Sequence, residues 1–248
     1  MAIPLARSWT RIGPWRIGAW TSPNSGGGRP VVLVHGFGVS GRYWHPLARC
    51  LARRHPVYVP ELPGHGGSSR PPEALDVPGL REVLAAWMDA AGLARAALVA
   101  NSLGCQIAAD LAAGDPGRVS ALVLAGPTVD PAARSAPAQM ARLALSAPVE
   151  HPALYPIILR DYLRAGPRQL QAELRHMLRH QIEEHLPAVA APTLVVRGTL
   201  DRIVPRRWAR EAVRLLPRGR LVEIPLGGHA AHYTRAGAVA RQVLAFLA

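Results

Sequence analysis

The chain contains no lysine: all 29 of its basic side chains are arginine. Against 16 acidic residues they leave a formal net charge of +13, a balance that often marks a nucleic-acid or acidic partner. Here the arginines are spread along the chain, with only short pairs such as Arg53-Arg54 and Arg206-Arg207. Exclusive arginine, with heavy use of Ala and Pro, reads as coding bias and not as a binding patch. Aromatic residues make up only 5%, and no stacking motif accompanies the charge, so nucleic acid is not an expected partner. Cysteine is scarce too. Cys50 and Cys105 alone form neither a disulfide framework nor a metal-ligand spacing. Cys105 reads as a small buried hydrophobe. No apolar run is long enough to span a bilayer. Met1 to Thr10 holds Arg7 but no apolar stretch of signal-peptide length, so a cytoplasmic location is expected.

What is present is core. The 248 residues are 49% apolar, enough for one α/β domain with an insertion. Two short extended pieces, Arg11 to Trp15 and Arg16 to Thr21, are split by Pro14 and read as an antiparallel pair at a sheet edge. Asn24 to Gly28 reads as a loop. Val31 to Val34, Val57 to Pro60, Ala96 to Val99, Val119 to Leu124, Pro192 to Arg197 and Leu221 to Ile224 are apolar runs of buried-strand type. Helical patterns lie between them: Tyr43 to Arg53, Val77 to Ala91, a helix ending at Ala113, Trp208 to Leu216 and Arg235 to Leu247. This alternation predicts an α/β fold with a mostly parallel, doubly wound sheet. The rhythm breaks from Thr128 to about Ala190. There the chain carries Pro-punctuated helical pieces, Ala138 to Leu145, Leu154 to Ala165 and Pro167 to His185. The expected division is therefore a core of residues 1–127 and 191–248, with a helical cap of residues 128–190 inserted before the last two strands.

Leu98 to Gln106 is the most informative stretch. A buried strand ends at Ala100-Asn101, Ser102 sits at the tip of a tight turn, and Leu103-Gly104 opens a helix. Such a turn forces the serine into a strained backbone with its hydroxyl outward. The free amides at the helix start favour negative charge beside it. A plain helix N-cap serine is the competing reading. Three further loops follow strands at the same predicted sheet edge. They are His35-Gly36-Phe37-Gly38, Gly198-Thr199-Leu200-Asp201 with Val204-Pro205, and Gly227-Gly228-His229-Ala230.

Together these motifs resemble the α/β-hydrolase family. Ala100-Asn101-Ser102-Leu103-Gly104 matches its Gly-x-Ser-x-Gly nucleophile elbow, with Ala in the first position. His35-Gly36 matches its oxyanion loop. Glu61-Leu62-Pro63-Gly64-His65-Gly66-Gly67-Ser68 matches a loop that usually begins with Asp. Chain order in the family is Ser, acid, His, which here implies Ser102 as nucleophile, Asp201 as acid and His229 as base. By the same resemblance the amides of Phe37 and Leu103 form the oxyanion hole. Gly36, Val204, Ala230 and His232 are expected around the substrate pocket. Asp130 is an alternative acid and His232 an alternative base, while His35 and His65 are expected to hold loops. No metal or organic cofactor is implied.

The chemistry is acyl transfer to water. A serine hydroxyl needs a base, and the base needs a carboxylate to orient it and stabilise its charge. The expected function is a carboxylesterase of small or medium esters, monomeric or homodimeric. A C–C hydrolase of dioxo acids would use the same groups but needs a cationic anchor, for which Arg42 and the arginines near Arg175, His176, Arg179 and His180 are candidates. A non-catalytic ligand binder is a third reading. A carrier-protein ester, docked on the arginine-rich cap, is a fourth.

Overall fold

A computed structural model describes residues 4–22 and 27–248. Asn24, Ser25 and Gly26 of the expected loop lie outside the described residues. Eight strands form one sheet: β1 (Ala6–Ile12), β2 (Trp15–Thr21), β3 (Val31–Val34), β4 (Val57–Glu61), β5 (Ala96–Ser102), β6 (Val119–Pro127), β7 (Thr193–Gly198) and β8 (Gly219–Ile224). Their order is β1-β2-β4-β3-β5-β6-β7-β8. The β1–β2 and β2–β4 pairings are antiparallel and all others parallel. The antiparallel edge was expected, but its strands are longer and placed differently. Gly13-Pro14 is the two-residue turn and Ile12 pairs with Trp15, because Pro14 has no N–H to give a ladder. Arg11 and Trp15 therefore stand on different strands.

The sheet separates two apolar layers, and period-2 alternation assigns residues to each. On β5, Ala96, Leu98 and Ala100 face one layer and Ala97 and Val99 the other. The first layer packs against α2 (Val77–Ala90), α3 (Leu103–Gly114) and α7 (Arg206–Leu215) through Trp87, Ile107 and Trp208. The second packs against α1 (His45–Leu51) and α9 (Ala236–Leu247) through Leu47, Leu51, Val243 and Leu247. Burial on both faces explains why the central strands read as unbroken apolar runs. Both cysteines are free, and Cys105 is buried.

Between β6 and β7 the chain is helical. It forms α4 (Ala136–Ser146), α5 (Tyr155–Arg179) and α6 (Ile182–His185), with short 3-10 turns between α4 and α5 and after α6. The break expected before Pro167 is present: Gly166 has φ 77 and ψ 161. The helix expected to run on to His185 stops at Arg179 instead. Gln106 of α3 donates to the carbonyls of Met177 (2.9 Å) and His180 (3.2 Å), occupying the acceptors that end the helix. A short α8 (Ala231–Thr234), absent from the sequence reading, precedes α9. Among the described residues no helix is long and apolar enough to cross a membrane.

Candidate active site

The centre of the sheet ends in a strained corner. Ser102 closes β5 at φ 56 and ψ −123 and immediately precedes α3. Its side chain makes no capping hydrogen bond to that helix, which removes the plain N-cap reading. The corner is tight because Gly104 lies against β3: a Cβ there would stand 2.5 Å from the Val34 carbonyl oxygen and 2.6 Å from that of His35. Leu103 is the first residue of α3, so its amide has no acceptor within the helix.

Asp201 and His229 meet beside this corner. The Asp201 carboxylate is buried, with Oδ1 accepting from the amides of Ile203 (2.8 Å) and Val204 (2.9 Å). Oδ2 lies 2.9 Å from His229 Nδ1. A carboxylate takes the proton-bearing nitrogen, so Nδ1 donates and Nε2 is left as the acceptor. Nε2 is buried with no hydrogen-bond partner among the described residues. The ring fits because β6 has Gly126, at φ 60, next to it; a Cβ there would be 2.9 Å from the imidazole. Burial pulls the His229 pKa down, but the Asp201 charge and hydrogen bond, with the nearby Glu150 charge, hold it above the ordinary histidine value.

Ser102 and His229 line one cavity of about 280 Å³, with Gly36, Phe37 and Ala230 also in its wall. The helical segment supplies most of its lining, including Met140, Leu143, Leu154, Ile158, Tyr162 and Met177. No arginine is among the described residues lining it. Two residues expected at the pocket are elsewhere. Val204 is fully buried and contributes only its amide to Asp201. His232 is packed between Tyr43 (4.5 Å) and Trp44 (4.2 Å), because α8 turns its side chain into the layer under α1. Burial, then the His229 charge, holds its pKa near 3. Asp130 is equally committed: Arg142 (2.8 Å) and Arg207 (2.6 Å) pair with its buried carboxylate. Arg42 lines a second cavity with Arg160 and Arg164.

The loop that carries Gly36 and Phe37 is held from several sides. The Tyr43 hydroxyl accepts from the Gly36 amide (2.7 Å) and donates to Asn101 Oδ1 (3.1 Å). Asn101 in turn donates to the carbonyls of Ala125 (2.8 Å) and His229 (3.3 Å). From α5, Glu173 accepts the Gly38 amide (3.2 Å) and Asp161 the Ser40 amide (2.7 Å). His35 accepts from the Leu62 amide at Nε2 (3.0 Å). Burial, then the His65 charge, keeps it neutral with a pKa near 3. His65 itself pairs with Glu173 at 2.8 Å. Glu61, where the family pattern has Asp, accepts from the amides of Gly67 (2.8 Å) and Gly41 (3.2 Å) and pairs with Arg7. The longer side chain thus reaches two loops at once. Sequence reasoning missed Tyr43, Glu150, Asp161 and Glu173. Their roles come from contacts 7 to 135 residues away, which no local pattern encodes.

Residues 31–242 match the family model described as "Alpha/beta hydrolase family". The chain belongs to the alpha/beta hydrolase family. This hydrolase is 31% identical to a protein named carbamate hydrolase RutD from Variovorax paradoxus, over 89% of this chain and 92% of that one. It is also 31% identical to a dihydrolipoyllysine-residue acetyltransferase component of the acetoin cleaving system of Pseudomonas putida, covering 94% of this chain and 67% of that one. It is 32% identical to the polyketide synthase ThaQ of Burkholderia thailandensis, of which it spans only 12%. Among solved structures, a thermophilic esterase from Thermogutta terrifontis superposes with a TM-score of 0.81 at 25% identity, covering 98% of each chain.

Proposed function

We propose that this alpha/beta hydrolase cleaves carboxylic esters through an acyl-enzyme on Ser102. His229 Nε2 takes the Ser102 proton as Oγ attacks the carbonyl carbon. Asp201 fixes the imidazole tautomer and stabilises the imidazolium. The amides of Phe37 and Leu103 receive the developing oxyanion, where losing one such donor costs on the order of 100- to 1000-fold. His229 then protonates the departing alcohol oxygen. A water, deprotonated by His229, attacks the acyl carbon, and collapse returns Ser102 and releases the acid. Residues 128–190 act as a cap that covers the cavity and excludes water.

One observation carries the reading: the Asp201–His229 pair leaves Nε2 as a buried acceptor without a partner among the described residues, in the cavity that the strained Ser102 also lines. The missing Ser102 bond is no obstacle, since such contacts are often long in free enzymes and tighten with substrate. The lack of arginine in the cavity wall favours neutral esters over dioxo acids, whose carboxylate needs a cation. A carbamate is a second reading, favoured by the similarity to RutD; its carbonyl calls for the same attack and the same oxyanion donors. The test is a panel of p-nitrophenyl esters of graded chain length, a carbamate and a ring-fission dienoate, run on wild type and Ser102→Ala. Neutral esters should turn over fastest, and Ser102→Ala should lose at least about 1000-fold. An unchanged alanine variant, or no labelling of Ser102 by a fluorophosphonate, rejects the proposal.

A further inference from the structure

Behind the elbow helix, away from the cavity just described, three metal-ligating side chains converge. Asp110 lies on α3, His180 follows α5, and His185 ends α6. One ligand atom from each lies within 4.8 Å of the others. His180 Nε2 is 3.5 Å from Asp110 Oδ2, and His185 Nδ1 is 4.0 Å from Asp110 Oδ1. The two imidazoles are stacked, with centroids 4.6 Å apart.

His180 is the unusual member. Its side chain is only 7% exposed; Nδ1 has no hydrogen-bond partner among the described residues, and Nε2 makes only the long contact to Asp110 Oδ2 at 3.5 Å. In either neutral tautomer one nitrogen must carry a proton and the other a lone pair. Leaving a ring nitrogen unmatched in the interior is costly; His232 is left so as well, but between Tyr43 and Trp44, whereas His180 stands beside a carboxylate and a second imidazole.

We propose that Asp110, His180 and His185 form a binding site for a Zn²⁺-type divalent cation, which clamps the 180–185 turn onto α3. The donor set is two imidazoles and one carboxylate, which suits Zn²⁺ or Co²⁺ and not Mg²⁺ or Ca²⁺. Around a tetrahedral ion with bonds of about 2.0–2.1 Å, ligand atoms stand roughly 3.3 Å apart. The cluster therefore needs closure of about an ångström and rotation of the His185 ring out of its stack. That ring is the most exposed of the three, at 33%, so it is free to turn and gives the ion its entry path. Water completes the coordination on that side. Arg81, whose Nε lies 3.8 Å from Asp110 Oδ1, is the competing cation. It can hold Oδ1 while Oδ2 binds the ion, as supporting groups do for metal-bound carboxylates.

The proposal is independent of any reaction at Ser102. Full-length protein is stripped with EDTA and titrated with Co²⁺, followed by visible absorption, and with Zn²⁺ against a chromophoric chelator. Melting is recorded with and without Zn²⁺. Wild type should bind one equivalent, develop the absorption of a four-coordinate Co²⁺ site and melt higher with Zn²⁺. His185→Ala and Asp110→Asn should each weaken Zn²⁺ by about 100-fold or more and lose the melting shift. Saturable binding absent from wild type overturns the site. So does wild-type affinity in both variants, which would place the ion on other histidines. The wild-type titration decides the matter even if a variant does not fold.

Discussion

Asp201→Asn is the sharpest test of the proposed chemistry, because the structure dictates how the new side chain must sit. In the wild type, Oδ1 accepts from the Ile203 and Val204 amides at 2.8 and 2.9 Å. Only an oxygen can take that place, so the asparagine amide nitrogen must occupy the position of Oδ2, 2.9 Å from His229 Nδ1. There it donates. Nδ1 becomes the acceptor, and the imidazole proton moves to Nε2, where it blocks removal of the Ser102 proton. Trapping the wrong tautomer is expected to cost about 10⁴-fold in kcat, or about 5.5 kcal/mol of transition-state stabilisation. Folding should suffer little. Both backbone acceptor bonds survive, and the change in one partly buried bond is about 1 kcal/mol, or roughly 2–4 °C in a chain of this size. The assay is kcat for the best p-nitrophenyl ester, with the labelling rate of Ser102 by a fluorophosphonate alongside and melting as the control. A well-folded variant that keeps more than a tenth of wild-type kcat would refute the assignment of Asp201.

Glu150→Gln should move the pH profile. Burial, against a bond from the Ala230 amide (3.1 Å), raises the Glu150 pKa above the ordinary glutamate value, and its charge helps raise that of His229. Removing the charge destabilises the imidazolium, so the acid limb of kcat/KM should shift to lower pH; an unmoved limb would show no coupling. Tyr43→Phe leaves the Gly36 amide and Asn101 Oδ1 short of a buried partner. It should cost about 1–3 kcal/mol in urea unfolding and about tenfold or more in kcat/KM through the displaced Phe37 amide; equal activity would free that loop of Tyr43. Acid should destabilise the fold. His35 and His232 are held near 3 chiefly by burial, so below about pH 6.5 the unfolded chain binds more protons. Each histidine then removes up to about 1.4 kcal/mol per pH unit as pH falls toward 3. The raised His229 acts in the opposite sense: its contribution is full below about pH 6.5 and lost as pH rises through its folded value. Urea unfolding between pH 7 and 5 should show a gentler slope in His232→Phe, and an identical slope would contradict this account.

Local pattern was enough for the framework and for naming the residues proposed to carry the chemistry. Unbroken apolar runs become the central strands because those strands are buried on both faces, and Ser102, Asp201 and His229 could be named because each lies within a few residues of the end of a strand. The turn chemistry of Gly104 and the order of three loops are properties of short segments, and short segments are legible one at a time. Packing between distant segments decided the rest. Asp130 follows a strand as Asp201 does, but Arg142 and Arg207 neutralise it. His232 lies three residues from His229, yet α8 turns it under Trp44. Val204 gives up its side chain to the core and only its amide to the site. Glu150, Asp161 and Glu173 look like ordinary acids of a helical segment until the chain brings them to Ala230, Ser40 and Gly38. A hydrogen bond depends on an ångström and an angle, and across such separations along the chain only the packed interior sets those quantities.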